Sequence, residues 1–268
     1  MPVRLRAGAA TDIGPHRSIN QDAAFTAPWG VAVADGVGGG PAGDLASAAF
    51  IHRLAAGMVG PLDADQLAVR ISEANWDLRA HVEHDPSLDG MATTFTGILG
   101  SRSGGLLLAH TGDSRAYRLR DGVLTQQTRD DSYVQALVDS GLVAAADAAS
   151  HPRRNLITAS LSGGERDVAS IVEHDAVEGD RWLLCSDGLS DYVPDAVIEA
   201  LLVLHPEADA AARACVDVAL DAGTFDNVTA VVCDIHGATP GDAAADAARR
   251  PVFHGAAAAR FCEDLETA

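Results

Sequence analysis

The sequence of 268 residues contains no lysine, so all nineteen of its basic residues are arginine. This absence excludes chemistry that depends on a lysine side chain, such as a P-loop lysine on phosphate or a lysine Schiff base. Aromatic residues make up only 4% of the chain, whereas hydrophobic residues make up 47%. The sequence can therefore bury a substantial core, built mainly from Ala, Val, Leu and Ile.

Positive charge and closely spaced cysteines are also scarce. The formal net charge is −19. Such a surface repels phosphate backbones and anionic lipid, so we expect neither a nucleic-acid nor a membrane partner. The four cysteines are scattered, which is typical of reduced thiols in a cytosolic protein. No apolar run reaches 18 residues and the first residues form no apolar leader, so the sequence predicts a soluble, cytoplasmic protein.

Short apolar runs bounded by Gly, Asp and Pro predict strands, and tight turns between several of them favour antiparallel hairpins. Helical periodicity recurs in pairs of segments, so the pattern predicts an α+β layered protein rather than a βαβ repeat. The predicted strands are 29–34, 93–99, 105–111, 115–119, 155–161, 181–186 and 228–235. The predicted helices are 42–59, 63–84, 131–141, 195–204 and 207–222.

The composition changes near the end of the chain. Residues 1–236 carry the predicted elements and are expected to form one catalytic domain, whereas residues 237–268 are rich in Ala, Gly, Pro and Asp. The second range is predicted to be a mostly disordered tail, with one weak helical segment at 256–265. Deletion of residues 240–268 is accordingly expected to leave activity intact.

The glycine-rich segment after the strand at 29–34 allows two interpretations. Gly38, Gly40 and Gly43 fit the spacing G-x-G-x-x-G of a dinucleotide site, whereas Asp35-Gly36 at a strand end favours a metal site. A dinucleotide fold needs a second strand after the helix that follows the glycines. Here a second helix is predicted instead, so the metal interpretation is preferred.

Four aspartates stand at the ends of apolar strands that are expected to be buried. An unpartnered buried carboxylate is costly, so such residues usually hold a cation or an ion pair. A set of aspartates without His or Cys suits Mg²⁺ or Mn²⁺ better than Zn²⁺. Any single Asp-Gly pair is more often a turn, and two further pairs are predicted to be turns. The four aspartates are Asp35, Asp113, Asp187 and Asp226, and the two turns are Asp89-Gly90 and Asp121-Gly122.

Eight motifs in order over residues 5–236 closely resemble the protein phosphatase 2C family, the metal-dependent Ser/Thr protein phosphatases, in its bacterial branch. The resemblance implies a central sandwich of two antiparallel β-sheets flanked by pairs of helices. The motifs are RSINQDA (17–23), VADGVGG (33–39), MATTFTG (91–97), HTGDSRAYRLRDG (110–122), TRDDSYVQALVDSG (128–141), HPRRNLITASLSGG (151–164), LLCSDGLSD (183–191) and DNVTAVV (226–232).

The resemblance also implies a centre of two Mg²⁺ or Mn²⁺ ions. In this reading Asp35 bridges both ions and the carbonyl of Gly36 contributes to one, while Asp187 and Asp226 ligate the other. Two such ions lower the pKa of a water between them and offset charge on phosphoryl oxygens.

Five further positions receive roles from the same resemblance. Asp113 and Asp191 match residues that help to hold a third, weaker ion. Gln21 and Asp22 fall where the family orients metal-bound water. Arg17 matches the arginine that grips the substrate phosphate, which its planar guanidinium can hold through two oxygens.

The sequence departs from the family pattern at three positions. Val37 stands where some relatives carry a histidine proposed as general acid, Gln21 stands where many have Glu, and Asp131 replaces a common histidine. Asp131 begins the segment that matches the family's flap, residues 131–160. Other candidates for the proton donor, each more typical of a structural histidine, are His16, His110 and His151.

The sequence therefore predicts an Mg²⁺- or Mn²⁺-dependent phosphatase for phosphoserine and phosphothreonine in proteins, opposing a bacterial Ser/Thr kinase. Its expected partners are phosphorylated proteins, the kinase or its targets, and the chain is expected to be a monomer. Two alternatives are a non-catalytic regulator that binds phosphoproteins or a kinase, and a phosphatase for small phosphoesters. Metal-dependent turnover separates the first alternative, and relative rates on peptides and small phosphoesters separate the second.

Overall fold

A computed structural model of the chain describes residues 3–37, 42–239, 241–242, 246 and 249–261. Within these residues, strands form a five-stranded sheet in the order β1-β10-β9-β6-β7 and a six-stranded sheet in the order β11-β2-β3-β4-β5-β8. The strands are β1 (Val3–Asp12), β2 (Asp22–Ala27), β3 (Gly30–Asp35), β4 (Phe95–Gly100), β5 (Leu106–Thr111), β6 (Arg115–Arg120), β7 (Val123–Gln126), β8 (Ser170–His174), β9 (Arg181–Cys185), β10 (Val228–Gly237) and β11 (Val252–Gly255).

Seven α-helices have both ends among the described residues, together with two short 3₁₀ helices at Pro86–Leu88 and Ala145–Ser150. The helices Gly43–Ala55 and Ala64–His84 cover the six-stranded sheet as a pair, and the predicted pair at 195–204 and 207–222 covers the other sheet. The α-helices are α1 (Gly43–Ala55), α2 (Ala64–His84), α3 (Tyr133–Asp139), α4 (Asp187–Ser190), α5 (Asp195–Leu204), α6 (Ala208–Asp221) and α7 (Ala256–Arg260).

The core has three parts, one between the sheets and one under each helical layer. Trp182 and Val231 of the five-stranded sheet pack between the sheets with Val33 and Ile98 of the other. Central strands are thus buried on both faces, and their sequences read as continuous apolar runs rather than as alternation. This layering confirms the predicted α+β sandwich, and every ladder between named strands is antiparallel.

Two predicted elements differ from the structure. Residues 155–161 form no strand, because Ile157 and Leu161 each pair for a single residue, with Ser132 and Thr93 respectively. The expected disorder of the tail is wrong for residues 252–255, where β11 pairs with β2, whereas α7 lies within the predicted helical segment 256–265 and packs into the core against α1. The sequence offered little signal for β11, because a strand of four residues is too short to show a clear alternating pattern.

The dinucleotide interpretation does not fit the fold. Helix α1 follows β3 and leads into α2 without an intervening strand. Gly43 is the first residue of α1, while Gly38 and Gly40 lie outside the described residues. Among the residues that the structure describes, no helix combines the length and apolar character needed to cross a bilayer.

Candidate metal centre

The acidic strand ends meet at one end of the sandwich. Asp22 and Asp35 are directly opposite in the β2–β3 ladder. Asp187 begins α4 two residues after β9, and Asp226 lies two residues before β10, the strand that pairs with β9. Reversal of direction between neighbouring strands therefore brings the end of one strand beside the start of the next.

Burial and mutual repulsion make these carboxylates harder to ionise. The pKa of Asp35 is raised well above its usual value, first by burial and then by repulsion from Asp22, Asp187 and other nearby carboxylates. Burial and repulsion from Asp113 and other carboxylates likewise raise the pKa of Asp187 well above the usual range. Burial raises the pKa of Asp22 to about 6 and that of Asp113 to about 7. When these carboxylates ionise, negative charge accumulates in one place, and a bound cation would neutralise it.

Two carboxylate oxygens in this cluster are buried without a hydrogen-bond partner. They are Oδ1 of Asp22 and Oδ1 of Asp187. The other oxygen of Asp22 accepts a hydrogen bond of 2.7 Å from the Ser186 hydroxyl. An unsatisfied buried oxygen normally has a compensating ligand, so these atoms fit a hard cation such as Mg²⁺ or Mn²⁺.

The side chains do not by themselves form a closed coordination shell. Across the described ranges 3–37, 42–239 and 249–261, no group of three or more His, Cys, Asp or Glu side chains stands ready to hold one ion. Asp226 accounts for part of this, because one oxygen accepts from Arg17 and the other from the backbone N–H of Asn227 at 2.8 Å. The cluster thus supplies the charge and the donor atoms for divalent ions, with Asp226 turned toward protein partners.

Arg17 lies directly against the acidic cluster. Its Nη2 donates to Oδ2 of Asp226 at 2.6 Å, and its Nε donates to the carbonyl of Phe225 at 3.3 Å. The neighbouring His16 ring stacks on the Phe225 ring with centroids 4.3 Å apart. The guanidinium is half-exposed at the rim, so it can exchange the carboxylate for an incoming anion.

The backbone around Asp35 is held by two threonines. The Thr94 hydroxyl accepts from the Asp35 N–H at 3.0 Å, and the Thr93 hydroxyl donates to the Asp35 carbonyl at 3.0 Å. Gly36 is packed so closely that a Cβ there would lie 2.1 Å from the carbonyl oxygen of Gly43. Only glycine fits, and this close packing fixes the carbonyl that was predicted to face an ion.

The loop that carries Arg17 depends on Asn227, a residue to which the sequence analysis gave no role. Its Oδ1 accepts from the Gln21 N–H at 2.8 Å, and its Nδ2 donates to the carbonyls of Ile13 and Ile19. Asn227 is 2% exposed. The available signal was its place next to Asp226 in the DNV motif, where a buried amide can bridge two backbone segments.

The flap meets the outer edge of the cluster through Arg154. Its Nε lies 3.5 Å from Oδ2 of Asp191, and burial raises the pKa of Asp191. The Asp131 carboxylate holds the start of the flap by accepting a hydrogen bond from the Gly112 N–H at 3.1 Å. His110 is enclosed by hydrogen bonds to the Thr96 hydroxyl and a backbone carbonyl, in keeping with a structural role.

Residues 16–210 match the family model described as protein phosphatase 2C. The chain belongs to the protein phosphatase 2C family. Serine/threonine protein phosphatase PstP of Mycobacterium tuberculosis is 44% identical over 242 residues, covering 86% of this chain and 45% of the relative. The chain thus spans less than half the length of that relative. Serine/threonine phosphatase stp of Listeria innocua is 32% identical over 76% of this chain and 83% of its own length.

Solved structures of phosphatase 2C relatives share the fold. The crystal structure of the M. tuberculosis serine/threonine phosphatase PstP/Ppp gives a TM-score of 0.81 at 42% identity, covering 86% of this chain and 98% of that one. A PstP catalytic domain in complex with two manganese ions gives 0.80 at 39% identity, covering 88% and 100%. Two bound manganese ions in that relative match the metal class predicted from the aspartates.

The predicted site residues of this family member fall into one connected region. The buried aspartates lie close enough to repel one another. Hydrogen bonds join Arg17 to Asp226 and Gln21 to Asn227. His151 belongs to the flap, where its Nδ1 accepts from the Arg153 N–H. The catalytic and metal-ligating roles of these residues stay predictions.

Proposed function

We propose that this chain is an Mg²⁺- or Mn²⁺-dependent protein phosphatase that hydrolyses phosphoserine and phosphothreonine. The observation that carries the proposal is the convergence of buried, mutually repelling aspartates with Arg17 at one end of the sandwich. The family membership and the phosphatase names of the relatives support the same reaction.

Asp35, the carbonyl of Gly36, Asp187 and Asp226 would hold two ions, and Asp113 with Asp191 would hold a third. When bound, such ions supply a nucleophile at neutral pH and neutralise charge on the phosphoryl group. Hydrolysis then consumes one water and yields phosphate and a free hydroxyl side chain.

The residues of the chain position the substrate for this reaction. Arg17 can release Asp226 and offer two N–H groups to phosphate oxygens, which concentrates positive charge on an otherwise acidic protein. The same exchange frees Oδ2 of Asp226 for an ion. Asp22 and Gln21 would orient water, the role that the family resemblance implies for them.

Phosphorylated proteins, including a Ser/Thr kinase or its targets, are the proposed partners. We propose a role in cytoplasmic signalling. The three described cysteines, Cys185, Cys215 and Cys233, are free and buried, which fits a reducing compartment. Cys262 lies outside the described residues.

The test is hydrolysis of a phosphothreonine peptide by the purified protein, with Mn²⁺ or with EDTA, beside Asp187→Asn. A matched control is Asp89→Asn, at an exposed turn that was predicted from its Asp-Gly pair. Turnover that requires Mn²⁺, collapses in Asp187→Asn and persists in Asp89→Asn supports the proposal. Mn²⁺ binding without turnover would instead indicate a regulator, and faster hydrolysis of small phosphoesters than of peptides would indicate a different substrate class.

A further inference from the structure

The C-terminal clasp, residues 252–261, lies along the strand that begins with Asp22. Strand β11 pairs with β2 so that Gly255 is opposite Ala23. Gly255 has φ +62°, and a Cβ there would lie 2.2 Å from the carbonyl oxygen of Asp22. The clasp therefore packs directly on the backbone of a residue in the acidic cluster.

His52, in the last turn of α1, anchors the clasp. Its ring stacks on Phe253 with centroids 3.9 Å apart and meets Phe261 edge-on at 4.9 Å. Its Nε2 lies 2.7 Å from the carbonyl oxygen of Ala257, and Ala256 and Ala257 are buried in the core. These contacts fix the clasp to α1.

Arg260 makes a second attachment at the other end of α1. Its Nε donates to Oδ2 of Asp44 at 2.6 Å, in the first turn of the helix. The Asp44 side chain is 12% exposed. The clasp thus holds both ends of α1, and the Arg260 ion pair holds the end nearer the metal centre.

The first turn of α1 in turn supports the predicted metal loop. The Ser47 hydroxyl donates to the carbonyl of Gln21 at 2.6 Å, and the Gly36 N–H donates to the same oxygen at 3.1 Å. Gly43 packs against Gly36 with no room for a side chain. A shift of this turn would therefore displace the Gly36 carbonyl and Gln21 together.

We propose that Arg260 is a positioning residue for the metal centre, acting through Asp44 and the first turn of α1 on the backbone of Gly36. The proposal rests on the proposed function. It concerns a segment outside residues 16–210, the range that the family model matches. Supporting residues one layer away from a metal tune its affinity by orienting the ligands.

The experiment is calorimetric titration of the metal-free full chain with Mn²⁺ for the wild type, Arg260→Ala and Arg260→Lys. The control is Arg6→Ala, which removes an exposed ion pair with Glu207. Arg260→Ala is expected to weaken Mn²⁺ binding about threefold to tenfold, while Arg260→Lys keeps most of the affinity and Arg6→Ala keeps all of it. Hydrolysis by Arg260→Ala should fall at limiting Mn²⁺ and recover at saturating Mn²⁺, because the ligands themselves are intact.

A merely structural ion pair would lower the melting temperature without changing the Mn²⁺ affinity, and that result overturns the proposal. So does an Arg260→Lys variant as weak as Arg260→Ala. If Arg260→Ala does not fold, Asp44→Asn breaks the same ion pair and is titrated in its place, with the same expected loss. A wild type that binds no Mn²⁺ would contradict the proposed function itself, whereas a wild type that binds and an Arg260→Ala variant that binds equally well contradict only this inference.

Discussion

Arg17 binds the Asp226 carboxylate, and a substrate phosphate would compete with that carboxylate for the same guanidinium. Its hydrogen bonds to Asp226 and to the Phe225 carbonyl hold the guanidinium at the acidic cluster before any phosphate binds. Charge-assisted hydrogen bonds are worth roughly 1.5–3 kcal/mol each. Arg17→Ala is therefore expected to lower kcat/KM for a phosphothreonine peptide by about 10- to 100-fold, with Arg17→Lys in between.

The Mn²⁺ affinity of Arg17→Ala distinguishes a role in binding the substrate from a role in supporting the metal ligands. Since the arginine occupies Oδ2 of Asp226, its removal should leave Mn²⁺ binding as tight as in the wild type or tighter. Arg102→Ala, which removes an exposed ion pair with Asp63, serves as the matched control for kcat/KM. A loss of Mn²⁺ binding in Arg17→Ala would mean that the arginine supports the metal ligands rather than the substrate.

Asn227 is the residue whose importance only the structure reveals. Its three side-chain hydrogen bonds close the loop that carries Arg17. Truncation to Ala would leave buried backbone groups unsatisfied, so Asn227→Ala should lower the free energy of unfolding by about 2–4 kcal/mol. Urea unfolding measures this loss, and Asn155→Ala at an exposed position is the control. Equal midpoints for both variants would contradict the assigned role.

At the scale of elements, the sequence predicted best where strands are buried on both faces. Strands β3, β5 and β9 read as continuous apolar runs because helices cover the outer face of each sheet. Strand β1, with alternating polar residues, and the short exposed strand β7 carry weaker signals. Their stability comes from pairing with distant partners, which local pattern does not encode.

The residues of the candidate site also divide into those that the local sequence predicts and those that it does not. Aspartates next to glycines at strand ends could be found by reading along the chain, because each pair is local. Asn227 and Arg154 could not, since their partners lie far away in sequence. Strand β11 of the clasp was not predicted for the same reason, because it gains its partner β2 only in the folded sheet.

Removal of the clasp tests its contribution to the fold. Deletion of residues 251–268 exposes the edge of β2 and removes Phe253, Ala256 and Ala257, which pack against the six-stranded sheet and its helices. Loss of this apolar burial should cost about 2–4 kcal/mol of unfolding free energy and lower Tm by roughly 4–12 °C. An unchanged Tm in thermal unfolding would contradict this contribution of the clasp, whereas the expectation that deletion of residues 240–268 leaves activity intact stays a prediction.

At the scale of the whole molecule, the acidic cluster links folding to pH and to metal. Asp22 and Asp113 keep their protons up to about pH 6 and about pH 7 in the folded chain, whereas both ionise near pH 4 when unfolded. The folded protein therefore binds more protons than the unfolded chain between these values. Without metal, the contribution of these groups to stability is fully present below about pH 4 and is lost as the pH rises through 6 and 7.

A divalent ion should remove this penalty, because it compensates the ionised carboxylates. We expect Mn²⁺ to raise the free energy of unfolding more at about pH 8 than at about pH 5, with roughly 1.5 kcal/mol of the difference arising from Asp22. Urea unfolding in EDTA and in Mn²⁺ across this range measures the effect, and Asp22→Asn should flatten the slope in EDTA. Stabilisation by Mn²⁺ that is the same at both pH values would show that the ions bind away from this cluster, because only a site that displaces these protons couples metal to pH.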